Sequence, residues 1–371
     1  MAIRVWDYLR EYENEKHEVH AAIEKVLSSG RLILGDSVNN FEEAFAGYCG
    51  VKFGVGVNSG TDALFLGLKA LGIGAGDEVI TVANTAVPTV SAITAAGATP
   101  RFIDIDPETY LMDTSLLEAA VTKKTKCILP VHLYGQCVDM DNVNAVAAAH
   151  GLKVIEDCAQ AHGSVSNGKK AGSMSDIAAF SFYPTKVLGG YGDGGMMVTR
   201  DESLYGKLKR LRFYGMGKAY YSEEQGYNSR LDELHAEVLL RKLSHLDDYI
   251  ARRKEIASQY DNGLASTSLS LPQTMEGNDH VYYLYVCRHP QRDRVISDLQ
   301  ENDVFVNISY KWPIHTMPGY QYLGYNIGDF PHTEKAADEI FSLPMYPSLR
   351  DEEQQKVIEV LTGILEDIDQ G

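Results

Sequence analysis

The chain has 371 residues, 44% hydrophobic and 23% charged, which is the balance of a folded globular protein and excludes gross disorder or a coiled coil. At this length two or three domains are expected, or one large domain carrying a smaller one. With 34 Lys and Arg against 51 Asp and Glu the net charge is −17, a field that repels phosphodiester backbones and argues against nucleic acid as a bulk partner. A single small phosphorylated ligand in a local pocket remains compatible with it.

The first twenty residues are too charged for a signal peptide. From about residue 50 to 200, short β-rich runs alternate with helical patterns. Strands are predicted at 53–57, 78–82, 99–104, 126–131, 153–156, 177–182 and 196–199, and helices at 61–71, 89–96 and 139–150. Most of the strands are apolar on both faces, as in a parallel sheet covered by helices on both sides. The longest apolar stretch, 86–98, is too short to span a bilayer and is broken by Pro88. A long charged amphipathic helix is predicted over 230–265, leading out of the large domain. A strand at 280–287 and helices at 292–302 and 351–369 then form a smaller α+β unit. The expected division is residues 1–245, an N-terminal arm and large domain, and 246–371, the connector helix and small domain. Five scattered cysteines without CxxC spacing fit a reducing compartment, so the expectation is a cytoplasmic protein with no membrane partner and no metal site.

Three segments carry the chemistry. Residues 181–195 read SFYPTKVLGGYGDGG, where a strand runs into Pro184, then Lys186, then five glycines within seven residues. Such backbone permits close approach to a flat or anionic ligand, and a poorly solvated lysine there suits Schiff-base chemistry. The plain alternative is a surface turn. Residues 154–163 read VIEDCAQAHG and place Asp157 at the carboxyl end of a strand, where open α/β sheets put their ligands. A partly buried carboxylate there could hold a protonated ring nitrogen, or could simply cap a helix. Glu156 and His162 read as structural polar residues. The third segment, NSGTDA at 58–63, joins a strand to a helix and offers free N–H groups and a dipole end to a phosphate, with ordinary N-capping as its alternative. A phosphate cup, a carboxylate and a lysine in this order on one sheet are what pyridoxal 5′-phosphate requires.

With these motifs, and with NSRLDELHA at 228–236, the chain resembles the DegT/DnrJ/EryC1/StrS family of nucleotide-sugar aminotransferases over nearly its whole length, from GRLILG at 30–35 to SLPMY at 342–346. The resemblance implies an aspartate-aminotransferase-like fold of type I. It implies a mostly parallel seven-stranded sheet in the large domain and pyridoxal 5′-phosphate as cofactor. It also implies L-glutamate as donor and a nucleotide-linked keto-6-deoxyhexose as acceptor, most similar to enzymes that aminate C3 of dTDP-3-keto-6-deoxyhexoses. Within that pattern Lys186 matches the lysine that condenses with the cofactor aldehyde and later moves the proton between Cα and C4′. Asp157 matches the partner of the pyridine nitrogen, and Gln160 the residue beside the 3′-oxygen. Gly60 and Thr61 match the phosphate cup, with Ser181 as a hydroxyl donor. Asn228 matches an asparagine that reaches the phosphate of the neighbouring subunit, implying a homodimer with shared active sites. Tyr310 and His315 fall in the sugar-facing stretch, and Arg230 is a candidate for the donor carboxylate or for holding a partner loop.

Two positions depart from the pattern. Ala86 stands where many relatives place an aromatic residue against the pyridine ring, and Ser309 where relatives often have histidine. Amination at C4, or of a cyclitol ketone, would use the same residues. A 3-dehydratase of the family would carry histidine in place of Lys186. A cofactor-sensing regulator would be expected to carry a basic DNA-binding module, and no helix-turn-helix extension is visible. Tyrosine-rich stretches such as 282–283 read as core or interface.

Overall fold

The computed structural model describes residues 2–370. Its centre is a seven-stranded sheet built from β1 (Phe53–Val57), β2 (Glu78–Val82), β3 (Thr99–Ile103), β4 (Thr125–Ile128), β5 (Lys153–Asp157), β6 (Ile177–Ser181) and β7 (Gly195–Thr199). The spatial order is β1-β7-β6-β5-β4-β2-β3. Only β7 runs against its neighbours, pairing antiparallel with β1 and β6. The other junctions are parallel. The carboxyl ends of β1, β5 and β6 therefore meet at one edge of the sheet, the edge where crossover helices begin and ligands bind in such folds.

The predicted strands hold to within a few residues because each is a run of apolar, β-branched or small residues ended by a local breaker. The far end of β4, predicted to reach residue 131, is regular only to Ile128: Pro130 has no N–H to give the ladder, but its carbonyl accepts the Asp157 N–H at 2.9 Å and Val131 bridges to Asp157. Two helices not predicted from sequence, α1 (Tyr8–Ser29) and α2 (Asp36–Tyr48), pack on the large unit.

The region predicted as one long helix over 230–265 is two, Glu233–Leu243 and Leu246–Leu264. At the break Ser244 Oγ donates to the Arg241 carbonyl at 2.7 Å, and the Ser244 and His245 N–H groups bond three residues back. The serine hydroxyl thus competes for an acceptor that a continuous helix needs. The predicted strand at 280–287 also shifts, to Tyr285–Arg288, paired antiparallel with Ile340–Leu343. Tyr282 has φ +50, which breaks the extended run, and the His280 ring stacks on it at 4.1 Å.

A second buried cluster, separate from the one around the large sheet, includes Ile256, Tyr260, Tyr285, Phe341 and Leu361. Ile3 belongs to this second core and bridges to Val304, while Arg10 pairs with Glu353 at 2.7 Å. Ile3 and Arg10 are thus packed on the C-terminal part of the chain. No helix among the described residues is long and apolar enough to cross a membrane.

Candidate active site

At the carboxyl edge of the sheet lies a cavity of about 310 Å³, within the usual range of small-molecule sites. The turn after β1, the start of the helix after β2, the ends of β5 and β6, and Lys186 all line it. On one side is the N-terminus of helix α3 (Gly60–Ala70), capped by Ser59, whose Oγ accepts the Asp62 N–H at 3.1 Å. The N–H groups of Gly60 and Thr61 fall in the first turn and have no partner inside the helix. A Cβ on Gly60 would lie 2.6 Å from the Ser181 Cβ, and one on Gly195 would lie 2.2 Å from the Ser59 carbonyl oxygen. Only glycine lets these three strand ends close into one cup of N–H and hydroxyl donors. That donor set suits a phosphate.

Asp157 ends β5 and is buried. Its Oδ2 accepts from Thr89 Oγ1 at 2.8 Å and its Oδ1 from the Ala159 N–H at 3.1 Å. Burial pushes its carboxyl above the usual range, while the Thr89 and Ala159 hydrogen bonds and the Lys186 charge act in the opposite direction. Neighbouring Glu156 is also buried but faces different partners. Its carboxylate accepts from the N–H groups of Gly172 and Met174 at 2.9 Å and from Ser175 Oγ at 2.8 Å. His132 Nδ1 accepts the Val138 N–H, so Nε2 carries the proton toward Glu156 at 3.0 Å. Burial alone would raise the Glu156 carboxyl, but the bonds from His132, Gly172 and Ser175 pull it below the usual range. Glu156 ties loops together, and Asp157 faces the cavity.

Lys186 is held loosely by comparison. Its Nζ lies 3.5 Å from the Tyr283 hydroxyl and 4.6 Å from the Tyr283 ring centroid. No carboxylate lies within ion-pair distance of it among the described residues. Tyr283 is itself fixed by Thr185, hydroxyl to hydroxyl at 2.9 Å. Gln160 is buried and oriented by two tyrosines: its Oε1 accepts the Tyr134 N–H at 2.8 Å, and its Nε2 donates to Tyr310 Oη at 2.5 Å. Those two tyrosine rings stack at 6.1 Å, and both residues have positive φ, +59 and +66. Strained backbone of this kind costs about 1–3 kcal/mol per residue and survives only where the surroundings impose it.

Of the residues singled out in the sequence, Gly60, Thr61, Asp157, Gln160, Ser181 and Lys186 meet in this cavity. Tyr310 touches Gln160. Arg230 lies over the rings of Phe213 and Tyr214, at 5.1 and 5.6 Å, and Asn228 is exposed; neither lines the cavity. His315 is buried elsewhere, with Nε2 2.9 Å from Glu334 and its ring edge-on to Phe330, so the single chain does not bring it to the site. His162 is fully buried among Phe45, Phe180 and Phe182, as befits a structural residue, and burial lowers its pKa to about 3.

Sequence reasoning missed Thr85, Thr89 and Tyr283. The two threonines sit four residues apart in the turn and first helical turn after β2, on the ligand edge, and that spacing could have flagged them. Nothing local flags Tyr283, 97 residues from Lys186. Where an aromatic ring was expected, Ala86 forms part of the cavity wall.

The family model described as the DegT/DnrJ/EryC1/StrS aminotransferase family matches residues 13–362. A dTDP-3-amino-3,4,6-trideoxy-alpha-D-glucose transaminase of Micromonospora megalomicea subsp. nigra is 54% identical, covering 98% of this chain and 100% of that protein. The crystal structure of S. venezuelae DesV in complex with a ketimine intermediate superposes with a TM-score of 0.97 at 41% identity, covering 98% of this chain and 99% of that one. NtdA from Bacillus subtilis with bound cofactor PMP superposes with a TM-score of 0.88 at 32% identity, covering 95% and 82%.

Proposed function

The chain belongs to the DegT/DnrJ/EryC1/StrS aminotransferase family, and from that premise we propose that it transfers an amino group from L-glutamate to C3 of a dTDP-linked 3-keto-6-deoxyhexose, with pyridoxal 5′-phosphate as cofactor. The observation that carries this reading is one cavity walled by an open helix N-terminus, a buried carboxylate and a lysine that has no carboxylate partner among the described residues. These residues fit the cofactor: Gly60, Thr61 and Ser181 would hold its phosphate, Asp157 its ring nitrogen, Gln160 its 3′-oxygen, and Lys186 its aldehyde. When bound, the cofactor supplies a carbonyl that can carry the amino group and a ring that accepts electron density.

The chain's own residues do the rest. Asp157 places a negative charge opposite the ring nitrogen and favours the protonated ring. Lys186 Nζ would bind the cofactor aldehyde and, once displaced, would take a proton from the donor α-carbon and return it to the former aldehyde carbon on the other side of the transferred nitrogen. The Tyr283 hydroxyl and ring face steady the ammonium that forms, without trapping it in an ion pair. We assign Tyr310 and Arg230 to contacts with the sugar and the donor carboxylate.

The expected assembly is a homodimer with shared sites. Leu27, Leu32, Ile33 and Leu234 are exposed around a groove of about 560 Å³ that also includes Asp193, a residue of the active cavity. A second copy covering this face would bring its Asn228 to the phosphate cup. Mixing Lys186→Ala and Asn228→Ala proteins should then restore about a quarter of wild-type activity, since half the dimers would carry one intact site. The five cysteines are free thiols and all buried, which suits a reducing cytoplasm.

A product assay with dTDP-3-keto- and dTDP-4-keto-6-deoxyhexoses side by side, with glutamate as donor, tests the reaction. Amine at C3 with stoichiometric 2-oxoglutarate is expected. Amine at C4 alone, or no glutamate-dependent conversion of the cofactor, would refute the assignment.

A further inference from the structure

The Asp157 carboxylate is served by a chain of hydroxyls. Thr89 Oγ1 donates to Asp157 Oδ2 at 2.8 Å, and Thr85 Oγ1 lies 2.9 Å from Thr89 Oγ1. Each hydroxyl has one proton. That of Thr89 is committed to the carboxylate, so Thr85 must donate to Thr89. Both side chains are buried, and both residues line the cavity. Successive donors polarise one another, which strengthens the last bond in the chain.

We propose that Thr89, backed by Thr85, is the positioning residue that keeps Asp157 ionised and aimed, so that the cavity selects a cationic ring nitrogen. The inference rests on the aminotransferase reading and extends it to residues outside the lysine–aspartate pair. Its physical basis is that, among the described residues, no other side chain gives the charge constant support. Four titratable groups act on Asp157 from the elements around it: Lys186, His132, Tyr310 and Cys158. Lys186 changes partner and charge during turnover. The His132 ring directs its proton to Glu156. Burial keeps the Tyr310 phenol and the Cys158 thiol protonated by raising both. Among the described residues, only the Thr89 hydroxyl and the Ala159 N–H donate to the Asp157 oxygens. The N–H is fixed by the backbone, which leaves Thr89 as the replaceable donor.

Thr89→Val keeps the shape and removes the donor; Thr89→Ser keeps the donor. The carboxyl ¹³C titration of Asp157 in the cofactor-free protein, assigned with Asp157→Asn, should move up by about one unit in Thr89→Val, return toward wild type in Thr89→Ser, and shift less in Thr85→Val. Cofactor affinity of the apo-protein should fall about tenfold in Thr89→Val, the equivalent of one pKa unit, and its pH profile should move with the titration. A Thr89→Val protein that titrates and binds as wild type overturns the inference. If the wild-type protein binds no pyridoxal 5′-phosphate, the aminotransferase reading fails instead, and the titration in the cofactor-free protein still decides the role of Thr89.

Discussion

The two ends of the cavity are built to opposite specifications. At the carboxylate end, each Asp157 oxygen has a donor at 2.8 or 3.1 Å, and the side chain ends a central strand. At the amine end, Lys186 follows Pro184 in a turn and makes one contact at 3.5 Å and one over a ring at 4.6 Å. The proposed chemistry asks Asp157 to hold a constant charge, and it is locked in place. It asks Lys186 to swing, condense and carry a proton, and its partners are weak and non-committal. A carboxylate beside Lys186 would hold it in an ion pair and oppose that movement.

The largest effect should come from the loose end itself. Lys186→Ala removes the proposed nucleophile and proton carrier together, and kcat for the complete reaction should fall by more than about 10³-fold. Retained turnover would place the chemistry elsewhere. Asp157→Asn keeps the shape of the locked end and removes its charge. A loss of about 10- to 100-fold in kcat/KM is expected, the worth of a hydrogen bond to an ionised group, with a bound-cofactor spectrum that responds to pH over a different range. An Asp157→Asn protein as active as wild type would show that the locking serves packing alone.

The buried aromatic cluster around His162 has its own pH signature. His162 has a pKa lowered to about 3 in the folded chain, against about 6.5 when unfolded. The unfolded state therefore binds more protons below pH 6.5, and stability falls as the pH drops through that value. At pH 5.5 the folded protein should have lost about 1.4 kcal/mol from this residue relative to pH 7.5, measurable by urea denaturation. His162→Gln should show a shallower slope. The smallest effect is expected at Tyr283→Phe, which keeps the ring and removes the long contact to Lys186 together with the hydrogen bond to Thr185. Roughly a 2- to 5-fold fall in kcat fits a weak hydrogen bond. A loss as deep as that of Lys186→Ala would mean that the loose end is not loose.

Much of this arrangement could be read from local runs of residues. Each sheet strand, the cup after β1 and the position of Asp157 at a strand end follow from short-range rules: apolar runs make strands, and polar or glycine-rich turns follow them. The orientation of Gln160 was not readable, because it depends on Tyr134 and Tyr310, which lie 26 and 150 residues away. The placement of His315 was not readable either. Its motif sits beside Tyr310 in sequence, but Glu334 and Phe330 hold the ring in a separate cluster.

Taken alone, the amino-acid order determined the α/β class, the sheet strands, and which carboxylate and which amine line one cavity, because hydrogen-bonding pattern and hydrophobic period act over a few residues. Tertiary structure decided where the helix over 230–265 breaks and that Ile3 joins the C-terminal core. It also set Thr89 against Asp157 across 68 residues and Tyr283 against Lys186 across 97. Those contacts arise only when separately formed elements pack together, and the nearest neighbours of either residue carry no trace of its distant partner.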